Sequence, residues 1–188
     1  MTRLAFAAAL LALALPAAAQ AELAVGAQAP DFTAQSAMAG KVQNFNLRAA
    51  LRRGPVVLYF FPKAFTQGCT LETRAFAEAT PQFAAAHATV VGMSADDIPT
   101  LQRFSTEECR SKFAVAAATP AIISSYDVAM RMDQLPEAAR GRMPAGLTGR
   151  TSYVIAQNGR ITMVHSNLDY RDHVRLTLEA VQALSHKH

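Results

Sequence analysis

The spacing of apolar residues along the chain predicts buried strands and amphipathic helices that follow one another. Val56–Phe61 (VVLYFF) is a continuous β-branched and aromatic run, which is typical of a strand buried on both faces. The next segment has helical spacing, and Pro81 is expected to kink or restart that helix. The apolar side of this helix is predicted to consist of Leu71, Ala75, Phe76 and Ala79.

The pattern continues on both sides of this strand and helix. Residues 25–35 form a polar, proline-punctuated segment, and Lys41–Arg53 begins with alternation and ends with helical spacing. Residues 88–96 predict a second buried strand. Residues 98–113 predict a helix with Leu101, Phe104 and Cys109 facing inward. Residues 115–149 give no clear pattern.

The C-terminal part predicts a hairpin and a closing helix. Residues 151–156 and 160–166 alternate on either side of Asn158-Gly159, a sequence that favours a type I′ turn. Residues 170–184 place four apolar residues at helical spacing. Alternating strands and helices followed by a hairpin predict an α/β, thioredoxin-like fold with a central mixed β-sheet flanked by helices.

The first residues have the pattern of a secretory signal peptide. A basic start at Arg3 precedes an apolar run over residues 4–15, Pro16 and a series of small residues. The run is too short for a bilayer-spanning helix, and cleavage after Ala19 or Ala21 fits the small residues. We therefore predict a signal peptide at 1–21, one domain at 22–188 and export, to the periplasm, with no membrane segment after processing. An uncleaved anchor is the alternative.

Charge and histidine placement argue against two other classes of protein. The formal net charge is +4, but the basic residues are scattered and have no aromatic residues between them, which disfavours nucleic-acid binding. The five histidines have no ligand spacing, so no metal site is expected. The two cysteines of an exported chain form a disulfide by default, and this possibility stays open.

Cys69 lies at the junction between the predicted strand 56–61 and the helix that follows. In the first helical turn, with Thr66 as N-cap, a thiol faces free backbone N–H groups and the positive end of the helix dipole. This environment favours the reactive thiolate. Thr66 and Glu72 occupy the two positions at which a second cysteine would make a CxxC pair. The sequence therefore indicates a one-thiol site.

Residues 62–69 (PKAFTQGC) match the PxxxTxxC motif of peroxiredoxins, and the flanking residues resemble the bacterioferritin-comigratory-protein branch of that family. Segments similar to the family are AVGAQAPDFTAQ, VVGMSAD and GRTSYVIAQNGRI. The resemblance implies a thiol peroxidase that reduces hydrogen peroxide and organic hydroperoxides. It implies no metal or other cofactor, and a monomer, with a weak dimer as the alternative.

The resemblance also implies a role for each motif residue. Cys69 would attack the peroxide, the Thr66 hydroxyl would donate a hydrogen bond to it, and Pro62 would shield the pocket from water. Arg150 would supply positive charge, held by Glu72. The alternatives are a buried structural thiol for Cys69, a helix cap for Thr66, and a first-turn acid for Glu72. Arg140, Arg142 and Arg160 compete with Arg150.

The second cysteine suggests how the oxidised thiol is resolved. The branch often has a resolving cysteine five residues after the first, where this chain has Arg74. Other members of the branch have a resolving cysteine on the next long helix. This resemblance implies that Cys109 forms an intramolecular disulfide with Cys69. A core cysteine or a permanent disulfide are the alternatives for Cys109.

The remaining partner is a thiol reductant, either a thioredoxin-like protein or a small thiol. Two other functions remain possible at this stage. One is an exported thiol–disulfide oxidoreductase of the same fold, and the other is a non-enzymatic, chaperone-like module.

Overall fold

The computed structural model describes residues 23–135, 137–141 and 144–185. One seven-stranded mixed sheet forms the centre of this part of the chain. Its strands are β1 (Thr33–Met38), β2 (Lys41–Asn46), β3 (Val56–Phe60), β4 (Thr89–Ser94), β5 (Ala114–Ala117), β6 (Thr151–Ile155) and β7 (Ile161–Ser166). The helices are α1 (Leu47–Leu51), α2 (Gln67–Ala85), α3 (Ile98–Glu107), α4 (Pro120–Ser125), α5 (Glu137–Arg140) and α6 (His173–Ser185), with a 3₁₀ turn at Met132–Gln134.

The sheet order is β2-β1-β5-β4-β3-β6-β7. Strands β3, β4 and β5 are parallel to one another. Strand β6 pairs antiparallel with β3, and β7 pairs antiparallel with β6. Every residue of β3 is buried, as the continuous apolar run predicts. Because β6 is antiparallel to β3, Phe60 pairs with Thr151, and the start of β6 lies beside the end of β3.

Two apolar clusters cover the two faces of the sheet. Helices α1 and α4 contribute to one cluster, which includes Leu47 and Ile122. Helices α2, α3 and α6 contribute to the other, which includes Phe76, Phe104 and Val181. The α/β architecture with helices on both sides of a mixed sheet is therefore the predicted one.

The turns differ from the prediction. The type I′ expectation for Asn158-Gly159 is wrong, because only Gly159 has a positive φ there, at 83°. The loop is instead closed by the Gly159 N–H donating to the carbonyl of Ala156. Positive φ at both turn residues, the feature of type I′, occurs at Ala39 and Gly40 in the β1–β2 hairpin. The sequence pattern did not reveal β1 or β5.

Helix α2 differs from the prediction in two ways. It continues through Pro81 as one helix, so the proline does not restart it. Leu71 is 39% exposed, whereas the spacing predicts it on the apolar side. The buried side includes Phe76 and Ala79, as predicted, and also Cys69, Glu72 and Thr73. Apolar spacing misplaced Leu71 and missed Glu72 and Thr73, because part of the buried face is polar.

Helix α3 ends at Glu107, so the prediction of a helix to Phe113 is wrong. Arg110 and Ser111 have φ values of 49° and 59°, in the left-handed region that a right-handed helix cannot contain. Cys109 is buried as predicted, but it lies in the turn after α3.

The predicted signal peptide at 1–21 lies outside the described residues. Within the described part of the chain, no helix is both long enough and apolar enough to cross a membrane.

Candidate active site

The site begins where the central strand β3 passes into α2. Cys69 is the third residue of α2, so its thiol lies in the first turn, where backbone N–H groups have no helical acceptor. Its side chain is almost fully buried, with 1% exposure. The positive end of a 19-residue helix thus faces a sulfur that is shielded from water.

The loop between β3 and α2 is held by Asp96, which follows β4. The Asp96 carboxylate accepts hydrogen bonds from the Ala64 N–H at 2.7 Å and from the Ser94 hydroxyl at 2.6 Å. Phe65, the residue before the cap, has a φ of 63° and packs edge-to-face on Phe104. A residue with a large side chain in the left-handed region needs such surrounding contacts, so the loop conformation is imposed by its neighbours.

Arg150 lies next to the thiol because of the sheet register. It directly precedes β6, and β6 begins beside the end of β3. Its Nη2 is 3.5 Å from the Sγ of Cys69. Its Nη1 contacts a carboxylate oxygen of Glu72, and its Nε donates to the carbonyl of Leu168 at 2.9 Å. The structure therefore brings Cys69, Glu72 and Arg150 together in one buried group.

Glu72 lies one helical turn after Cys69 and has no exposed surface. Burial raises the pKa of Glu72 to about 8, although Arg150 acts in the opposite direction. A neutral carboxyl group still accepts the Arg150 hydrogen bond through one oxygen. The guanidinium of Arg150 therefore lies between the buried carboxyl group of Glu72 and the sulfur of Cys69.

Thr66 and Pro62 flank the thiol in different ways. Thr66 is at the N-cap position, but its hydroxyl does not cap the helix; it donates to the Lys63 carbonyl at 2.8 Å. This hydroxyl is at the surface, so it could turn from Lys63 toward a bound molecule. Pro62 is buried at the end of β3. The predicted hydrogen bond from Thr66 to the peroxide and the predicted shielding by Pro62 therefore stay predictions.

Cys109 shares the apolar cluster of Cys69 on the same face of the sheet. Both cysteines are free thiols in this structure, so the permanent disulfide is not present. The Cys109 side chain is fully buried, and burial raises the pKa of its thiol well above the ordinary value. Cys109 is therefore a buried, protonated thiol in this structure.

Sequence reasoning missed the contacts behind Arg150. His173, the first residue of α6, is fully buried beside Ser152 and Glu72. The spacing of the histidines argues only against a metal site. Nothing in the local sequence signals this contact, because Ser152 and Glu72 belong to two other segments, β6 and α2. The described residues contain no group of three or more metal-ligating side chains that could hold an ion.

A buried thiol between a helix N-terminus and a guanidinium, on a mixed α/β sheet, is the class of site that this geometry defines. Comparison with known families then makes the assignment specific. The model of the AhpC/TSA family matches residues 25–164, and the chain therefore belongs to the AhpC/TSA family. Membership of this family supports thiol peroxidase activity.

Individual relatives agree with this assignment. The chain is 30% identical over 166 residues to a chloroplastic peroxiredoxin Q from Suaeda salsa, covering 87% of this chain and 70% of that protein. The crystal structure of peroxidoxin BcpB from Mycobacterium tuberculosis is similar, with a TM-score of 0.72, 25% identity, and coverage of 85% and 97%. A bacterioferritin comigratory protein from Xanthomonas campestris has the same fold, with a TM-score of 0.67, 22% identity, and coverage of 80% and 91%. The predicted thioredoxin-like fold is confirmed.

Proposed function

We propose that this protein is a thiol peroxidase that reduces hydrogen peroxide and organic hydroperoxides through Cys69. The observation that supports this most directly is the guanidinium of Arg150 at 3.5 Å from the sulfur, beside the first turn of α2. A fixed cation and free N–H groups stabilise negative charge on sulfur and on the oxygens of a breaking O–O bond. The Suaeda salsa relative is itself named a peroxiredoxin.

The first step oxidises the sulfur by two electrons. The Cys69 thiolate attacks one peroxide oxygen, the S–O bond forms and the O–O bond breaks. The leaving oxygen takes a proton and departs as water or an alcohol, and Cys69 becomes a sulfenic acid. In this step Thr66 would turn its hydroxyl toward the peroxide, and Pro62 would keep water away from the sulfur.

Cys109 would resolve the sulfenic acid. Its thiol attacks the Cys69 sulfur, a disulfide forms and water leaves. A thioredoxin-like protein or a small thiol would then reduce the disulfide by two exchange steps. The two thiols are buried and unbonded in this structure, and we propose that the start of α2 and the turn after α3 open before the two sulfurs meet. We also propose that the protein is periplasmic and monomeric. N-terminal sequencing checks the cleavage of the signal peptide, and sedimentation checks the monomeric state.

Mass spectrometry after one equivalent of hydrogen peroxide tests the proposal. The wild type should lose two hydrogens by forming the Cys69–Cys109 disulfide, and Cys109→Ser should stop at a trappable oxide of Cys69. Cys69→Ser is the matched control and should not change. If both the wild type and Cys109→Ser stop at the oxide, the resolving role is wrong. If the wild-type thiol reacts no faster than free cysteine, the peroxidase function itself is wrong.

A further inference from the structure

His173 has both ring nitrogens engaged although it is fully buried. Its Nε2 is 2.9 Å from the carbonyl oxygen of Asn167, which only accepts, so Nε2 bears the proton. Its Nδ1 is 2.8 Å from the Ser152 hydroxyl, which then donates to it. Burial lowers the pKa of His173 to about 4, so the ring is neutral at neutral pH, in agreement with this pattern.

The bond to Asn167 fastens the segment that holds the Arg150 side chain. The Asn167 N–H donates to the backbone carbonyl of Arg150 at 3.1 Å, and its own carbonyl is bound by His173. The next carbonyl, that of Leu168, accepts from Nε of Arg150 at 2.9 Å. The acceptor that orients the guanidinium is therefore one peptide away from the histidine.

The other side of the ring faces the remaining supports of Arg150. Ser152 is two residues after Arg150 on β6, so its bond to Nδ1 fixes the strand that presents the arginine. The Oε1 of Glu72 is buried without a hydrogen-bond partner and lies 3.7 Å from Nδ1 of His173. The other oxygen of Glu72 contacts Arg150. Strand, loop and carboxyl group thus meet at one imidazole.

We propose that His173 is a positioning residue that keeps the Arg150 guanidinium aimed at the Cys69 sulfur. It does not touch the reacting atoms, and it acts through the Asn167–Leu168 segment, Ser152 and Glu72. This inference rests on the peroxidase function proposed above. Its physical basis is that a hydrogen-bond donor stabilises a transition state only when it is held in place beforehand.

The rival explanation is that His173 only fills space at the start of α6, and two substitutions separate the cases. His173→Phe keeps an aromatic ring but removes both hydrogen bonds. His173→Gln loses the ring but has an amide N–H that can replace the donor to the Asn167 carbonyl. A packing role predicts that Phe is the better replacement, whereas a positioning role predicts that Gln is.

The measurement is the second-order rate constant for oxidation of Cys69 by hydrogen peroxide, with folding checked by circular dichroism. We expect a loss of about tenfold or more in His173→Phe, and of about threefold or less in His173→Gln. Thr177→Val is the matched control. Thr177 is buried one turn along α6, and its hydroxyl bonds only to the carbonyls of His173 and Val174, so this variant should stay near wild type.

Each outcome decides between the explanations. The inference is overturned if His173→Phe reacts as fast as Thr177→Val, or if Phe is better than Gln. A wild type that reacts no faster than free cysteine would instead contradict the proposed function. If His173→Phe does not fold, Ser152→Ala replaces it, because this change removes only the bond to Nδ1. We expect it to slow oxidation about threefold, and an unchanged rate counts against the inference.

Discussion

At the scale of single residues, the missing side chain at position 68 decides how closely the arginine approaches the sulfur. A Cβ atom on Gly68 would lie 3.3 Å from Nη2 of Arg150 and 4.0 Å from a ring carbon of Tyr170. The first distance is closer than ordinary van der Waals contact. With a Cβ at this position, Nη2 would have to move by a few tenths of an ångström from its place beside Cys69.

Gly68→Ala should separate activity from stability. We expect the rate of Cys69 oxidation to fall about tenfold, since the added methyl group displaces Nη2 from the sulfur. The melting temperature should not fall, because alanine has a higher helix propensity than glycine. Stopped-flow kinetics and thermal unfolding measure the two quantities.

Gly149→Ala is the control for the glycine substitution. Gly149 is next to Arg150 in sequence, but a Cβ there would be 3.7 Å from the nearest carbonyl oxygen, that of Val128, at ordinary contact distance. The rate of Cys69 oxidation in Gly149→Ala should stay within about twofold of that of the wild type. Equal losses in the two variants would show that crowding near Arg150 in general, and not the approach across position 68, sets the rate.

At the scale of elements, α2 is clamped to the turn that contains Cys109. Arg74 donates to Glu108 at 2.6 Å, and Arg110 donates to Glu78, one turn further along α2, at 3.2 Å. The two ion pairs thus bracket Cys109 in sequence. If this cysteine attacks Cys69, the turn must leave α2, and the more buried pair, Arg74–Glu108, has to break.

Glu108→Gln should speed the second step of the reaction. The substitution weakens the clamp, and it removes a carboxylate that helps to raise the pKa of the Cys109 thiol. We expect disulfide formation after a peroxide pulse to be about fivefold faster, which corresponds to about 1 kcal/mol. The first step should be unchanged. Quenched-flow alkylation followed by mass spectrometry measures both steps.

Glu78→Gln provides the comparison for this prediction. Its ion pair with Arg110 is largely exposed, and exposed pairs contribute little. The rate of disulfide formation should therefore change by less than about twofold. A slower or unchanged rate in Glu108→Gln would mean that release of the turn does not limit resolution.

At the scale of the whole molecule, the buried imidazole links stability to pH. The pKa of His173 is lowered from 6.5 to about 4, chiefly by burial. Between these values the unfolded chain binds more protons than the folded one, so the contribution of His173 to stability is lost as the pH falls. The groups that act on the ring are Glu72 on α2, His165 on β7, Arg150 before β6, and Asp169 in the last loop.

We expect His173 to contribute about 3 kcal/mol less to the free energy of unfolding at pH 4 than at pH 6.5. Urea unfolding of wild type and His173→Gln measures it as the change in their stability difference. Glu72, whose raised pKa acts with the opposite sign below pH 8, is present in both proteins and cancels to first order. The difference in the free energy of unfolding between wild type and His173→Gln should shrink, to the disadvantage of the wild type, as the pH falls. A difference that stays constant between pH 7 and pH 4 would contradict the prediction.

Short-range patterns were sufficient for much of this protein. The continuous run of β3, the spacing in α6 and the motif around Cys69 are local features, and the structure has the corresponding elements. Local patterns failed where a buried face is polar, as at Glu72, and where the chain turns without a glycine, as at Arg110. Strands β1 and β5 were missed because small and polar residues weaken their alternation.

The position of the thiol at the start of a helix after a buried strand follows from neighbours in the chain, and it could be inferred from residues 56–72. The surroundings of that thiol could not. Arg150 reaches the sulfur because β6 pairs antiparallel with β3, and His173 reaches Arg150's supports because α6 packs on the same side of the sheet. Such contacts join residues that are far apart in the sequence: Ser152 and His173 are 21 positions apart, and Cys69 and Arg150 are 81 positions apart. Strand register and helix packing bring these residues together.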